Sequence, residues 1–244
     1  MTHSQTLSKM TAEDKQFEKS IIATAKAFAR SVYQYVYILD CTRRSIIYAS
    51  GGFGFSKQQF ADEICRMGFG FYDKYLVDED LQMLRGFPAV WAALVECLPQ
   101  GDASDYTLHC NMRIKDGDRT FPVHHTFTAV SLTESGAPHY VLCTVSLPVH
   151  RDCGHVRARK VGEDFFWEYD AQERAWRRMD CIRLRELERA VLLLAARGAT
   201  VEEISRIVCR SADAVKTCKR KLFKRMGVST IAQAISYAID YQLI

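Results

Sequence analysis

The chain has 244 residues, of which 48% are hydrophobic and 25% are charged, a composition typical of a globular protein and not of a disordered one. Residues 181–244 carry 12 Lys or Arg against 6 Asp or Glu, whereas residues 1–180 carry 21 against 23, so we expect a polyanionic partner for the C-terminal part. The sequence has no run of about 20 apolar residues and no apolar signal-peptide core in its polar first 14 residues, which predicts a cytoplasmic protein without a membrane partner.

Helical and strand patterns alternate over the first 150 residues. The predicted elements, in chain order, are a helix over 12–31, strands over 35–40 and 45–49, helices over 56–67 and 78–98, and strands over 105–115, 119–132 and 138–148. Ser56 is a candidate N-cap, and the acids at 78–80 suit a helix start, where amide dipoles stabilise negative charge. Asp116-Gly117-Asp118 between two strand patterns indicates a tight hairpin.

Two strands, a helical insert and three antiparallel strands are the element order of a PAS-like sensory domain. The region is similar to the sensor half of Bacteroidetes-type LuxR-like regulators, through Tyr37-Ile38-Leu39-Asp40, Phe71-Tyr72 and Asp78-Glu79-Asp80-Leu81. This resemblance implies an antiparallel sheet with helices across one face and a small pocket between them. A small molecule or a protein partner would be the signal, and the resemblance does not identify it.

Residues 151–180 have a different character, because a basic strand-like run over 157–161 is followed by many aromatic residues. The aromatic residues over 165–170 and 175–176 predict a small hairpin packed on a domain face, since a free linker would expose a costly apolar patch. The alternative interpretation is that these aromatic rings stack on unpaired nucleic-acid bases.

Four helical patterns occur after residue 181. Gly198 suits the end of the first helix, Thr200 with Glu203 forms a capping box for the second, and Ser211 is a candidate cap of the third. The apolar residues that recur at helical spacing are Leu184, Leu187, Val191 and Leu194, then Ile204, Ile207 and Val208, then Val215, Leu222 and Met226, and finally Ile231, Ala234, Ile235, Ala238 and Ile239.

This segment resembles the LuxR/GerE-type helix-turn-helix over 184–244 without a gap. The matching residues are Leu184, Glu186, Glu188, Val191-Leu192, Ala196, Gly198, Glu203-Ile204, Ser211, Val215-Lys216, Leu222, Gly227-Val228, Ala234, Tyr237-Ala238 and Leu243-Ile244. The resemblance implies that the second helix contacts the DNA backbone and that the third enters the major groove. The residues that it implies at base edges are Lys216, Thr217 and Arg220. Those that it implies at phosphates are Lys219, Lys221, Lys224, Thr200 and Ser211.

Several positions depart from this family pattern. Arg185 replaces the usual N-cap Thr of the first helix, which typically costs about 1 kcal/mol, so we expect this helix start to be frayed or capped differently. Ala214 replaces the usual Thr, and the loss of the Thr hydroxyl removes one contact with a phosphate. The remaining departures are Leu187, Ala190, Arg210 and Cys218.

The sequence gives little support for a phosphate-binding loop, a metal site or a catalytic site. The run over 51–54 is glycine-rich but lacks the Lys-Ser/Thr of a phosphate loop, so we interpret it as an ordinary loop. His124 and His125 are adjacent in a predicted strand and point to opposite faces, so they cannot share a metal ion in regular geometry. We interpret them as ordinary strand histidines, and the alternative is that a single one binds haem iron in a sensory pocket. The nine cysteines show no zinc spacing and are expected to be reduced, mostly small core residues. We therefore predict no metal, no cofactor and no enzymatic activity.

The patterns together predict an α+β protein: a PAS-like sheet with helices over 1–150, an aromatic connector over 151–180 and an all-α four-helix domain of the LuxR helix-turn-helix type over 181–244. The hypothesis for its function is a sequence-specific transcriptional regulator that binds double-stranded DNA. The protein would bind as a homodimer whose two subunits contact each other through the fourth C-terminal helix. The alternative is an interaction module whose altered helix-turn-helix binds DNA weakly or not at all.

Overall fold

The computed structural model describes residues 10–51, 57–98, 103–149, 153–241 and 243–244, with residues 57–60 and 240 described by their backbone alone. The chain divides into two compact units: Met1–Val161 with Trp167–Arg177, and Gly162–Phe166 with Arg178–Ile244. The predicted cap Ser56 and most of the glycine-rich run (52–54) lie outside the described residues. No helix in the described ranges is both long and apolar enough to cross a membrane.

Helices and strands of the N-terminal unit follow the predicted order, with additions described below. They are α1 (Ala12–Ala29), β1 (Tyr35–Asp40), β2 (Ser45–Ala49), α2 (Lys57–Met67), α3 (Gly70–Tyr75), α4 (Asp78–Arg85), α5 (Phe87–Cys97), a 3-10 turn (Ala103–Asp105), β3 (Tyr106–Asp116), β4 (Arg119–Leu132), β5 (Pro138–Ser146) and β6 (Val156–Lys160). A hairpin of β7 (Phe165–Asp170) and β8 (Ala175–Asp180) follows, and the boundary between the units runs through it.

The strands form one sheet in the order β2-β1-β5-β4-β3-β6-β7-β8. Burial alternates along β3, with Tyr106, Leu108, Cys110 and Met112 buried, because successive side chains of a strand point to opposite faces. These residues join Leu94 in the main core, which α2–α5 build with the sheet. The β3–β4 hairpin turns at Gly117, whose φ of +58° suits glycine.

The connector differs from its prediction, because β6 is a strand of the main sheet and not a separate segment. It pairs with β3 in antiparallel register, with Leu108 opposite Ala158. Val156 and Ala158 are buried, whereas Arg157 and Arg159 lie on the other face. This alternation fits the edge of β3 and satisfies backbone groups that an exposed edge would leave unpaired. The predicted hairpin is present as β7 and β8, which continue the sheet instead of packing on a domain face.

The predicted helix over 78–98 is two helices, α4 and α5, separated at Gly86. Pro88 lies in the first turn of α5, where its missing N–H costs nothing, but in a continuous helix it would remove a backbone hydrogen bond. Helix α3 is also an addition, since its six residues are too few to give a clear periodic signal. The acids at 78–80 begin α4, as predicted.

The tryptophan on β8 ties this strand to the N-terminal core. Trp176 is buried, donates from Nε1 to the Val90 carbonyl oxygen at 3.1 Å and lies against the Tyr169 ring.

We expect Trp176→Phe to lower the free energy of unfolding by about 1–2 kcal/mol, because it loses this hydrogen bond and part of the ring volume. Urea unfolding followed by far-UV circular dichroism measures the loss. Met179→Leu, on an exposed position of the same strand, is the control, and an equal effect of the two changes would refute the role of Trp176.

The C-terminal unit contains the four predicted helices: α6 (Glu186–Ala196), α7 (Val201–Ile207), α8 (Ala212–Met226) and α9 (Ile231–Asp240). Its core is built around Val191, Ile204 and Val215, one from each of the first three helices. Gly198 has a φ of +84° just after α6, the conformation predicted for a helix end. The fold class is therefore α+β, with an antiparallel sheet followed by a helical unit.

The cysteines are all free thiols, and five of the nine lie in a core cluster or pack against one. Only Cys110 and Cys143, which lie on the core face of strands, are buried, and Cys97 and Cys209 are exposed. Cys97 ends α5 and Cys209 lies between α7 and α8, positions at which a side chain is not held in a core.

Candidate functional site

Helix α8 has one buried side and one exposed side. Val215, Leu222 and Met226 are buried, which leaves the opposite side of the helix for polar contacts. The residues at helical spacing along that opposite side are Asp213, Lys216, Thr217, Arg220 and Lys224, and we call them the α8 stripe. Thr217 is half-buried and the other four are exposed. The structure thus brings together the three residues predicted at base edges and one predicted at phosphates.

The two remaining lysines of the predicted set lie off this stripe. Lys221 is exposed at the margin of the stripe, one residue after Arg220. Lys219 is half-buried, and the helical period places it nearer to the apolar side than to the stripe.

Thr200 and Ser211 cap the helices that flank the turn. The Thr200 hydroxyl accepts from the Glu203 N–H at 3.2 Å and the Thr200 N–H donates to the Glu203 carboxylate at 2.8 Å, which together form the predicted capping box. The Thr200 hydroxyl also donates to this carboxylate at 2.9 Å. The Ser211 hydroxyl oxygen accepts from the Ala214 N–H at 3.2 Å and has no side-chain acceptor among the described residues. Ser211 can therefore still donate to a phosphate, whereas Thr200 would first have to release Glu203.

The turn between α7 and α8 is compact. Cys209 has a φ of +51°, and the Arg210 N–H donates to the Ser205 carbonyl oxygen at 3.0 Å. Arg210, which departs from the family pattern, is exposed, so its guanidinium needs no buried partner. Cys218 packs against the core of this unit and does not lie on the α8 stripe.

A buried carboxylate joins the start of α6 to the end of α8. Glu188 accepts from the Arg185 N–H at 2.9 Å and from Arg225 Nη1 at 2.7 and 2.9 Å, and Arg225 Nη2 donates to the Arg183 carbonyl oxygen. Burial opposes ionisation of Glu188, but the Arg185 N–H and the Arg225 guanidinium outweigh it and lower the pKa of this carboxyl. The α6 start, expected to be frayed or capped differently, is thus capped by Glu188 in place of a threonine.

The N-terminal unit contains a cavity of about 890 Å³ between the sheet and helices α3–α5. The aromatic residues that line part of its wall are Phe69, Tyr72, Phe87, Trp91 and Phe127. The Trp91 Nε1 is already used, since it donates to the Gly136 carbonyl oxygen at 3.0 Å. The Tyr72 hydroxyl is hydrogen-bonded to that of Tyr37 at 2.8 Å.

The charged residues that line this cavity are exposed. Arg85 forms an ion pair with Asp73 at 2.8 Å, and the Arg44 guanidinium lies 5.0 Å from the centre of the Phe69 ring. The inner surface of the cavity, in contrast, is formed by Leu39, Leu108 and Val141 from the strands. The cavity can therefore enclose an apolar molecule without burying a charged group.

His124 and His125 lie on opposite faces of β4, as predicted. His125 is buried in the core, where burial and the nearby His124 lower its pKa to about 3. On the other face, His124 Nδ1 donates to Asn111 Oδ1 at 2.8 Å, and His124 Nε2 lies 3.3 Å from His109 Nδ1. Within the described residues, no group of three or more His, Cys, Asp or Glu is arranged to hold a metal ion.

Three features of these sites were missed by sequence reasoning. The acidic member of the α8 stripe, Asp213, could have been found from helical spacing alone. The contact of Arg225 with Glu188 spans 37 residues, and no local pattern signals it. A small pocket between the sheet and its helices was expected, but the residues that line it were missed, because the lining depends on how α3–α5 pack on the sheet and α3 itself was not predicted.

Comparison with known proteins gives a match for the C-terminal unit. Residues 184–238 match the family model described as bacterial regulatory proteins, luxR family. No curated protein matches the chain. Among solved structures, the Vibrio cholerae VqmA dimer, from work on LuxR-type receptors, is 15% identical, with 96% of this chain and 89% of that chain covered and a TM-score of 0.33. The phage VqmA–DPO complex is 13% identical, with 94% of this chain and 92% of that chain covered and a TM-score of 0.30.

Proposed function

Because residues 184–238 form a LuxR-family helix-turn-helix domain, we propose that the protein is a sequence-specific regulator of transcription that binds double-stranded DNA. The α8 stripe is the observation that carries the proposal. Its basic side chains are exposed, while the opposite side of α8 is held in the core of the unit. A helix presented in this way fits the major groove, which is about 12 Å wide.

The proposed contacts follow from the chemistry of each side chain. Arg220 has a planar fork that matches the two acceptors of guanine, and Lys216 and Thr217 flank it at base edges. A lysine at a phosphate adds affinity that salt weakens, and it does not distinguish sequences. We assign this role to Lys219, Lys221, Lys224, Ser211 and, once released from Glu203, Thr200.

We propose that the N-terminal unit is a PAS-like sensory domain. Its two strands, helical insert and three antiparallel strands occur in the PAS-like order, and aromatic and aliphatic side chains line its cavity. A small molecule that binds one conformation better than another would shift the population of the DNA-binding state. The signal in this proposal is a molecule that fills the cavity.

A filled cavity should exclude apolar probes. Ala129 lines the cavity from β4, so we expect Ala129→Phe to place its ring in the cavity and to reduce binding of the apolar fluorophore anilinonaphthalene sulfonate several-fold. Val130 is the next residue, is 41% exposed and does not line the cavity, so Val130→Phe is the matched control. A fluorescence titration measures both, with circular dichroism to verify folding. Equal affinity of the two variants would contradict the assignment of the cavity.

We also propose a domain organisation for the chain. We assign sensing to residues 1–150, connection to 151–180 and DNA binding to 181–244, in a cytoplasmic protein without enzymatic activity. We further propose a homodimer that contacts its partner through α9, which would match inverted half-sites. Ile239, 58% exposed on α9, supports this contact.

The direct test of the nucleic-acid partner is competition between duplex and single-stranded DNA. Fluorescence anisotropy of the full chain with labelled genomic duplex fragments measures binding, and unlabelled single-stranded DNA of the same composition is the competitor. We expect the duplex to stay bound, because groove contacts need paired strands. Displacement by equal amounts of single strand would instead favour base stacking on the aromatic hairpin.

A further inference from the structure

One carboxylate lies on the otherwise basic α8 stripe. Asp213 is in the first turn of α8, and its side chain is 94% exposed. Its nearest cation, Lys216 Nζ, lies at 3.8 Å, which is longer than a hydrogen bond. No hydrogen bond among the described residues involves the Asp213 carboxylate, so it is available to a donor from outside the chain.

The position of this charge benefits the helix and carries a cost for DNA binding. An acid in the first turn of a helix is stabilised by the amide dipoles there, and the exposed ion pair with Lys216 adds little to this. At position 213 the carboxylate lies on the line of Thr217 and Arg220, where it would approach the phosphates that flank a groove. Two negative charges a few ångströms apart repel each other even in water.

A carboxylate in this place pairs best with cytosine in duplex DNA. In the major groove cytosine presents the donor of its exocyclic amino group, which Asp or Glu accepts, whereas guanine and thymine present acceptors. Adenine also has an amino donor there, but its N7 acceptor lies beside that donor and disfavours a carboxylate. Recognition helices contact base edges with their N-terminal residues, and Asp213 is at the N-terminal end of α8.

We infer that Asp213 is a specificity-determining residue, which accepts a hydrogen bond from cytosine at one position of each half-site and repels DNA that lacks this base. This inference rests on the proposed function. It also assigns the residue a second effect, since a repulsive element lowers affinity for all non-matching sequences.

The test compares two substitutions that remove one negative charge each. Asp213→Asn keeps the shape of the side chain, and asparagine pairs with adenine. Glu202→Gln, on an exposed position at the start of α7, changes the same charge off the stripe. Both full-length variants and the unaltered chain are used to select duplexes from a random pool, and the affinities for selected and scrambled duplexes are then measured by anisotropy.

We expect Asp213→Asn to lower the preference for cytosine at one position about 10-fold, to raise the preference for adenine there and to tighten binding to scrambled duplex. Glu202→Gln should leave the preferred sequence unchanged. If the two variants select the same sequence as the unaltered chain, the role of Asp213 is overturned while the proposed function stands. If the unaltered chain selects no sequence, the proposed function fails, and the role of Asp213 fails with it.

Discussion

Replacing Lys216 and Arg220 together by alanine should weaken binding of the full chain to its selected duplex about 100-fold. Both side chains lie on the α8 stripe, and good contacts of this kind contribute about 1–3 kcal/mol each, so the loss of both removes about 3 kcal/mol. Affinity for scrambled duplex should fall much less, because the phosphate contacts of the other lysines remain. Anisotropy titrations at one fixed salt concentration measure both losses.

The matched control removes two positive charges away from the stripe. Arg189 and Arg197 are exposed at the middle and end of α6, and Arg189→Ala with Arg197→Ala changes the net charge equally. We expect this pair to weaken selected and scrambled duplexes by a similar, small factor. If the two double variants lose the same affinity for the selected duplex, the stripe does not determine specificity, and the interaction-module hypothesis gains support.

Replacing Glu188 by alanine should lower the stability of the C-terminal unit by about 3 kcal/mol. The carboxylate is buried and accepts from both Arg225 and the Arg185 N–H, and removing one partner of such a pair leaves the other unsatisfied. Arg225 is 39% exposed and can recover some hydration, which keeps the loss at the lower end of the range for buried pairs.

The readout for Glu188→Ala is hydrogen–deuterium exchange of the α6 and α8 amides in the full chain, since it reports on this unit alone. Glu186→Ala removes an exposed acid from the same helical turn and should cost much less. Equal protection of the amides in the two variants would show that the contact between α6 and α8 contributes little.

Lowering the pH should weaken the contact of Glu188 with Arg225 and the Arg185 N–H. The pKa of Glu188 in the folded chain lies below its value of 4.5 in the unfolded chain. A depressed pKa contributes stability above the unfolded value, and this contribution is lost as the pH falls through 4.5 toward the folded value. The unaltered chain should therefore lose amide protection in this window more steeply than Glu188→Ala does.

The sequence predicted features that depend on neighbours along the chain. The capping box of Thr200 and Glu203 involves residues three apart, and the turn at Gly117 needs only its own backbone conformation. The four C-terminal helices also follow from local apolar spacing. Four of the eight candidate DNA-binding residues could be placed on one side of α8 for the same reason.

Features that depend on distant residues could not be predicted in this way. The pairing of β6 with β3 joins segments about 50 residues apart, so the connector was separated from the sheet. Asp80 is buried against Arg113, 33 residues later, whereas its sequence context indicated only a helix start. Long-range partners of this kind are chosen by the packed core, and a local pattern contains no record of them.

The central claim is that the C-terminal unit recognises a particular duplex sequence, and selection from a random duplex pool tests it most directly. The full chain would select at low salt and again near physiological salt, because phosphate contacts weaken steeply over this range and base contacts do not depend on it in the same way. We predict an inverted-repeat motif that is enriched at both salt concentrations. Uniform binding that disappears at the higher salt would contradict sequence-specific recognition.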